Sequence, residues 1–203
     1  MPRSMIDDQT LGELKAELER FGAENDISVQ EHSLRMLNIT HDTGEFLSVI
    51  VRAAAARRIL EIGTSNGYST LWLAEAMSAT GGSVTTVEAS EYKVGLAAAN
   101  FERSGLAQFI TLLHADAGTV LRQSREHAFD FIFLDTDRSK YLGWWPHLRR
   151  VLRPGGLLVA DNAVSHAEEM APFISMVKGD PAFNTSLVPV GNGEFMAVKA
   201  SNR

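Results

Sequence analysis

Residues 58–69 read Arg58-Ile59-Leu60-Glu61-Ile62-Gly63-Thr64-Ser65-Asn66-Gly67-Tyr68-Ser69. A short apolar run passes into a turn with two glycines, and a helix-like stretch follows. Near-continuous apolarity suits a strand buried on both faces of a parallel sheet. Glycine directly after such a strand lets the backbone approach a ligand at the strand's carboxyl end. Gly63 and Gly67 do not meet the dinucleotide pattern G-x-G-x-x-G, and no Gly-Lys-Ser/Thr follows for a phosphate loop. The spacing suits a smaller zwitterionic ligand better than a pyrophosphate. Close packing of helix on strand explains the same glycines, so the turn alone leaves both readings open.

Outward from this stretch the pattern repeats. Apolar runs lie at 58–62, 83–87, 109–113, 129–134 and 156–160, each followed by a polar or glycine-containing turn and a helix-like segment. Strands alternating with helices predict a doubly wound α/β fold with a mostly parallel sheet and helices on both faces. Upstream, 6–24 predicts an amphipathic helix carrying Leu11, Leu14, Leu18 and Phe21, and a second helix is expected near 42–55. Downstream, 185–190 and 194–199 are strand-like and joined by Gly191-Asn192-Gly193, a hairpin signal because Gly and Asn tolerate positive φ. No repeat or linker interrupts the chain. One domain is expected over 1–203, with helices of 1–57 covering a 58–203 core.

The bulk properties agree. A chain of 203 residues can bury roughly 70% of its unfolded surface, enough for a core without staples. It has no cysteine, which excludes disulfides, zinc–thiolate sites and thiol nucleophiles. A net charge of −6 speaks against a nucleic-acid-binding face. No run approaches the ~20 apolar residues of a membrane span, and Met1 to Thr10 lacks a signal-peptide layout. A cytoplasmic location is the default expectation.

Glu88 closes the second apolar run about twenty-five positions after Gly63, where an acid typically grips ribose hydroxyls. With the glycine turn it favours a nucleoside ligand over a solvated acid in Glu88-Ala89-Ser90-Glu91. Asp116, followed by Ala117, ends the third run and suits either an adenine contact or a helix N-cap. Trp144 and Trp145 are adjacent, so at least one belongs to the core. Met170, Phe173, Ile174 and Val177 have the spacing of a packed helix face. His41 lies near the cofactor segment or caps a helix, and His166 reads as an exposed loop residue rather than one at the crevice rim.

EIGTSNGYST, VEAS, FDFIFLDTDRSKY and LRPGGLLVADN together resemble the class I methyltransferase fold. Within it the chain is similar, from about residue 36 to 199, to metal-dependent small-molecule O-methyltransferases of the catechol and caffeoyl-coenzyme A type. The resemblance implies a seven-stranded sheet with the last strand antiparallel, and S-adenosylmethionine as cofactor. Leu37-Asn38-Ile39-Thr40 matches the segment touching the cofactor's methionine part; Gly63, Tyr68 and Ser69 match its carboxylate end, and Glu88 its ribose acid. The full set of expected cofactor contacts is Ile39, Glu61, Gly63, Thr64, Ser65, Gly67, Tyr68, Ser69, Glu88, Ala89, Asp116, Ala117 and Asp135.

Asp135 ends the fourth run; Asp161 and Asn162 end the fifth. In a doubly wound sheet these ends open onto one crevice, and two carboxylates with an amide suit Mg²⁺ or Ca²⁺. Helix caps and turns explain the same residues; the resemblance favours the metal. It also implies a lysine base three residues after the first metal Asp, where this chain has Arg138. Guanidinium cannot lose its proton in proteins, so Asp135 and Arg138 are expected to act through metal and fixed charge, and Lys140 points away. Only 163–184 separates the Asp-Asn pair from the hairpin, shorter than in typical relatives. The acceptor pocket is therefore expected to be more open, or completed by the first helix or a second subunit, with a homodimer as the expectation. The expected partner is a small-molecule acceptor. Alternatives are a metal-independent N- or carboxyl-methyltransferase and a non-catalytic nucleoside-binding module. An oxidoreductase is disfavoured because no Tyr-x-x-x-Lys pair exists.

Overall fold

The computed structural model describes residues 8–201; positions 6 and 7 of the expected first helix lie outside them. In chain order the elements are α1 (Asp8–Ser28), α2 (His41–Ala53), β1 (Arg58–Ile62), α3 (Tyr68–Thr80), β2 (Ser83–Glu88), α4 (Glu91–Arg103), β3 (Ile110–His114), α5 (Ala117–Gln123), β4 (Phe129–Leu134), α6 (Tyr141–Val151), β5 (Leu152–Ala160), α7 (Ala167–Lys178), β6 (Phe183–Val188) and β7 (Glu194–Lys199). They form one seven-stranded sheet of order β3-β2-β1-β4-β5-β7-β6. The strands pair in parallel from β3 through β5, and β7 runs antiparallel to both β5 and β6.

Strand side chains alternate between faces, and this splits the core in two. Ile59, Phe131 and Phe133 point to the layer of α1 to α4, packing with Leu47, Leu71 and Phe101. Leu60, Ile62, Ile132 and Leu134 point to α5, α6 and α7, packing with Leu121, Trp145, Leu148 and Phe173. Trp145 is the buried member of its pair, and Met170, Phe173 and Val177 form the expected packed face. Leu11, Leu14 and Leu18 of α1 are buried in the first layer, so most of this helix's stripe is spent on its own domain and is not free to cover a second subunit. Phe21 remains 40% exposed.

β2, β3 and β6 shift by one or two residues from the sequence expectation, and two boundaries differ for a backbone reason. β5 begins at Leu152, not 156: Leu152 pairs with Phe129 and Leu157 with Phe131, so Arg153 to Gly156 bulge from the ladder. Pro154 has no N–H to offer, and Gly155 absorbs the bend at φ +73°. β6 stops at Val188, before Pro189, for the same lack of a donor. Among the described residues no helix is long and apolar enough to cross a membrane.

Candidate functional site

Strand order reverses between β1 and β4, and ligands bind at such switch points beyond the carboxyl ends of the strands. The ladder here continues one step past the strands. The N–H of Ala115 donates to Glu88 O (3.0 Å), Gly63 to Val87 O (3.1 Å), Asp135 to Ile62 O (3.0 Å) and Asp161 to Leu134 O (3.0 Å). These bonds set Glu88, Gly63, Asp135 and Asp161 in one row above the sheet. Over that row lies a cavity of about 590 Å³.

Of the expected site residues, Ile39, Gly63, Thr64, Ser65, Tyr68, Ser69, Glu88, Asp135, Arg138 and Asn162 line the cavity. Glu61, Gly67, Ala89, Asp116, Ala117 and Asp161 are not among its lining residues. Glu61 faces the α1–α4 layer and is fully buried, accepting from Ser69 Oγ (2.6 Å), Thr86 Oγ1 (2.6 Å) and Thr70 Oγ1. It therefore pins the start of α3 to β1 and β2, and reaches the cavity through Ser69 and, by way of Thr86, through Thr64. Burial pushes its carboxyl up to about 7 despite three hydroxyl donors.

Gly67 sits at φ +89°, and a Cβ there would meet Phe101 Cε1 of α4 at 2.5 Å. Its glycine serves helix packing. Gly63, at φ +106°, leaves room for the Asp135 carbonyl, which a Cβ would meet at 1.9 Å. Asp116 is the N-cap of α5, accepting from Thr119 N at 2.7 Å, with its side chain 69% exposed. The cap alternative holds for that residue. At α2 the cap is Thr40, not His41.

The cavity's other wall comes from the chain between α1 and α2. Asp26 in the last turn of α1 accepts from Met36 N (2.8 Å) and Leu37 N (3.0 Å). Ser65 Oγ donates to Met36 O at 2.6 Å, tying this segment to the glycine turn. Glu88 accepts from Ser65 N (2.9 Å), Ala89 N (3.0 Å) and Ser90 N (2.9 Å), which fixes its carboxylate at the cavity edge.

The acidic end is tightly joined. Asn162, at φ +68°, donates from Nδ2 to Asp135 Oδ1 (3.1 Å), and its N–H donates to Asp161 Oδ1 (2.6 Å). Burial raises the Asp135 carboxyl well above the usual range, with the Asp161 charge adding to it, and burial also raises Asp161. The positive charges of Arg138 and Lys93 offset this only in part, and two crowded carboxyl groups beside an amide are a donor set that suits a hard cation. Among the described residues no three His, Cys, Asp or Glu side chains are grouped to hold a metal; the donor set is two carboxylates and an amide.

Arg138 lies in a 3₁₀ turn after β4, and its Nε donates to Glu169 Oε2 of α7 at 2.8 Å. Both line the cavity, and Lys140 is exposed outside it. His166, half-buried before α7, lines the cavity at its rim, the less favoured of its two expected places. The sequence reading missed Lys93, which reaches the cavity from the first turn of α4, with burial pulling its ammonium down. It also missed Glu194. That side chain is 0% exposed, accepts from Thr43 Oγ1 at 3.1 Å and contacts Asp161, and burial with the Asp161 charge pushes it up to about 10. The available signal was a charge opening the apolar run EFMAVK beside the hairpin turn.

The model of the O-methyltransferase family matches residues 13–200. A catechol O-methyltransferase of Niastella koreensis is 33% identical over 140 residues, covering 68% of this chain and 63% of that protein. Caffeoyl-CoA O-methyltransferase 2 of Petunia hybrida is 28% identical over 187 residues, covering 80% of this chain and 76% of its own. Among solved structures, an O-methyltransferase from Bacillus cereus in complex with SAH superposes with a TM-score of 0.78 at 29% identity, covering 97% of this chain and 93% of that one. The chain thus spans somewhat less than two thirds of the Niastella relative's length.

Proposed function

The chain belongs to the O-methyltransferase family, and on that premise we propose that it transfers the methyl group of S-adenosylmethionine to a hydroxyl oxygen of a small acceptor, assisted by a divalent cation. The observation that carries this reading is the row of strand ends, with Glu88, Gly63 and Asp135 all lining one cavity. A nucleoside across such a row meets an acid for its ribose hydroxyls at one end and close backbone in the middle. Glu88 takes the ribose; Gly63 to Ser65 and the Leu37–Ile39 segment take the methionine part. Asp135, Asp161 and Asn162 would hold the cation, as hard oxygen donors suit Mg²⁺ or Ca²⁺. Bound there, the cofactor supplies an electrophilic methyl carbon and the cation makes an acceptor hydroxyl easier to ionise.

The chain's own contribution is placement and charge. Segments 36–39 and 63–65, joined through Ser65 and with the first fastened to α1 by Asp26, keep the cofactor's position fixed, and in-line alignment of this kind is worth several kcal/mol. Arg138 stays protonated and acts as a fixed cation beside the acceptor. It favours an acceptor that is anionic or carries a carboxylate, which its planar fork grips better than an ammonium does.

The test is methyl transfer to catechol with and without a chelator. Turnover lost on chelation and restored by Mg²⁺ supports the reading. Transfer untouched by chelation favours the metal-independent alternative, and cofactor binding with no transfer to any acceptor favours a binding module.

A further inference from the structure

Glu194 is a charged residue type, fully buried, and its Oε2 receives no hydrogen bond. Such groups in a folded protein call for a specific explanation. In the β5–β7 ladder Ala160 pairs with Phe195, so Glu194 stands directly across from Asp161, and the two carboxyl groups lie against each other. Its other oxygen accepts from Thr43 in the first turn of α2. That turn follows the cavity segment ending at Ile39 and is itself fastened to the hairpin, since Gly191 N–H donates to Asp42 at 3.2 Å. On the other side, Asn192 O accepts from Val164 and Ser165 N–H and Gly193 O from Ala163 N–H. The hairpin turn thus braces both the Asp161-Asn162 turn and the start of α2, with Glu194 as the buried link between them.

We propose that Glu194 is a positioning residue for the cation site, holding Asp161 in the orientation that presents it beside Asp135 and Asn162. The proposal rests on the cation reading above. Glu194 is not itself one of the ligands: it acts through Asp161, and the carboxylates do not group as a three-acid cage. A purely structural role explains the Thr43 bond but not the placement of a second carboxyl group against Asp161, where an apolar side chain would pack at lower cost.

The experiment measures Mn²⁺ binding to the cofactor-free protein by electron paramagnetic resonance of the free ion. Wild type, Glu194→Leu, Glu194→Gln and Thr43→Val are compared, with thermal unfolding as a fold check. Leu fills the space without a polar group; Gln keeps both links, accepting from Thr43 and donating to Asp161. The expected result is a folded Leu variant with Mn²⁺ affinity at least about tenfold weaker, a Gln variant within about twofold of wild type, and an intermediate loss for Val. A folded Leu variant that binds as tightly as wild type overturns the positioning role. So does a Gln variant as weak as Leu, because orientation is then not what matters. Wild-type protein that takes up no Mn²⁺ sinks the cation reading and this inference with it.

Discussion

Replacing Glu61 by Gln isolates a carboxyl group that the fold buries at the foot of the cavity. Three hydroxyl groups, on Ser69, Thr70 and Thr86, donate to it and favour its charged form, yet burial dominates and lifts it from 4.5 to about 7. The native protein therefore binds more protons than the unfolded chain between those two values. By linkage, this carboxyl's contribution to stability is full below pH ~4.5 and is lost as pH rises through ~7. The rise from 4.5 to about 7 is worth roughly 3 kcal/mol, most of it falling between pH ~5 and pH ~8.5. Urea unfolding of wild type and Glu61→Gln at those two pH values reads the effect directly, because other titrating groups cancel in the comparison. The wild type should lose roughly 2–3 kcal/mol more than the variant on going to the higher pH. Equal losses would refute the reasoning.

Gly63→Ala forces a Cβ onto the Asp135 carbonyl at 1.9 Å and keeps φ at +106°; it should cost about 3 kcal/mol in denaturant unfolding and abolish cofactor binding. Arg138→Lys should change acceptor preference or the pH–rate profile, since lysine can lose a proton where arginine cannot, and Arg138→Ala should weaken carboxylate-bearing acceptors most. Wild-type rates in both variants across pH and acceptors would make Arg138 a surface partner of Glu169 and nothing more.

Strand positions were legible because burial on both faces leaves an unbroken apolar run: β1, β4 and β7 fall where the sequence put them. Cavity-lining residues were legible at the strand ends, as at Gly63, Glu88 and Asp135, and in the segments that the family resemblance marked, as at Ile39 and Tyr68. Glu61 and Asp116 show the limit. Glu61 is one residue short of the strand's end, and alternation turns it into the helix layer. Asp116 stands at a strand end, but its carboxylate finds the N–H of Thr119 first, and an acid at that spot caps and contacts with the same sequence signature. Glu194 was invisible for another reason. It meets Asp161 through a hairpin that reverses the chain, and no local spacing joins positions 161 and 194. Lys93 belongs with it, since only the direction of its side chain brings a helix residue into the cavity.

The central claim is the nucleoside end of the row, and calorimetric binding of S-adenosylmethionine to wild type and Glu88→Ala tests it most directly. The wild type should bind, and the variant, while still folded, should lose at least about a hundredfold in affinity, for two charge-assisted hydrogen bonds each worth roughly 1.5–3 kcal/mol. A wild type that does not bind, or a variant that binds equally well, would contradict that claim.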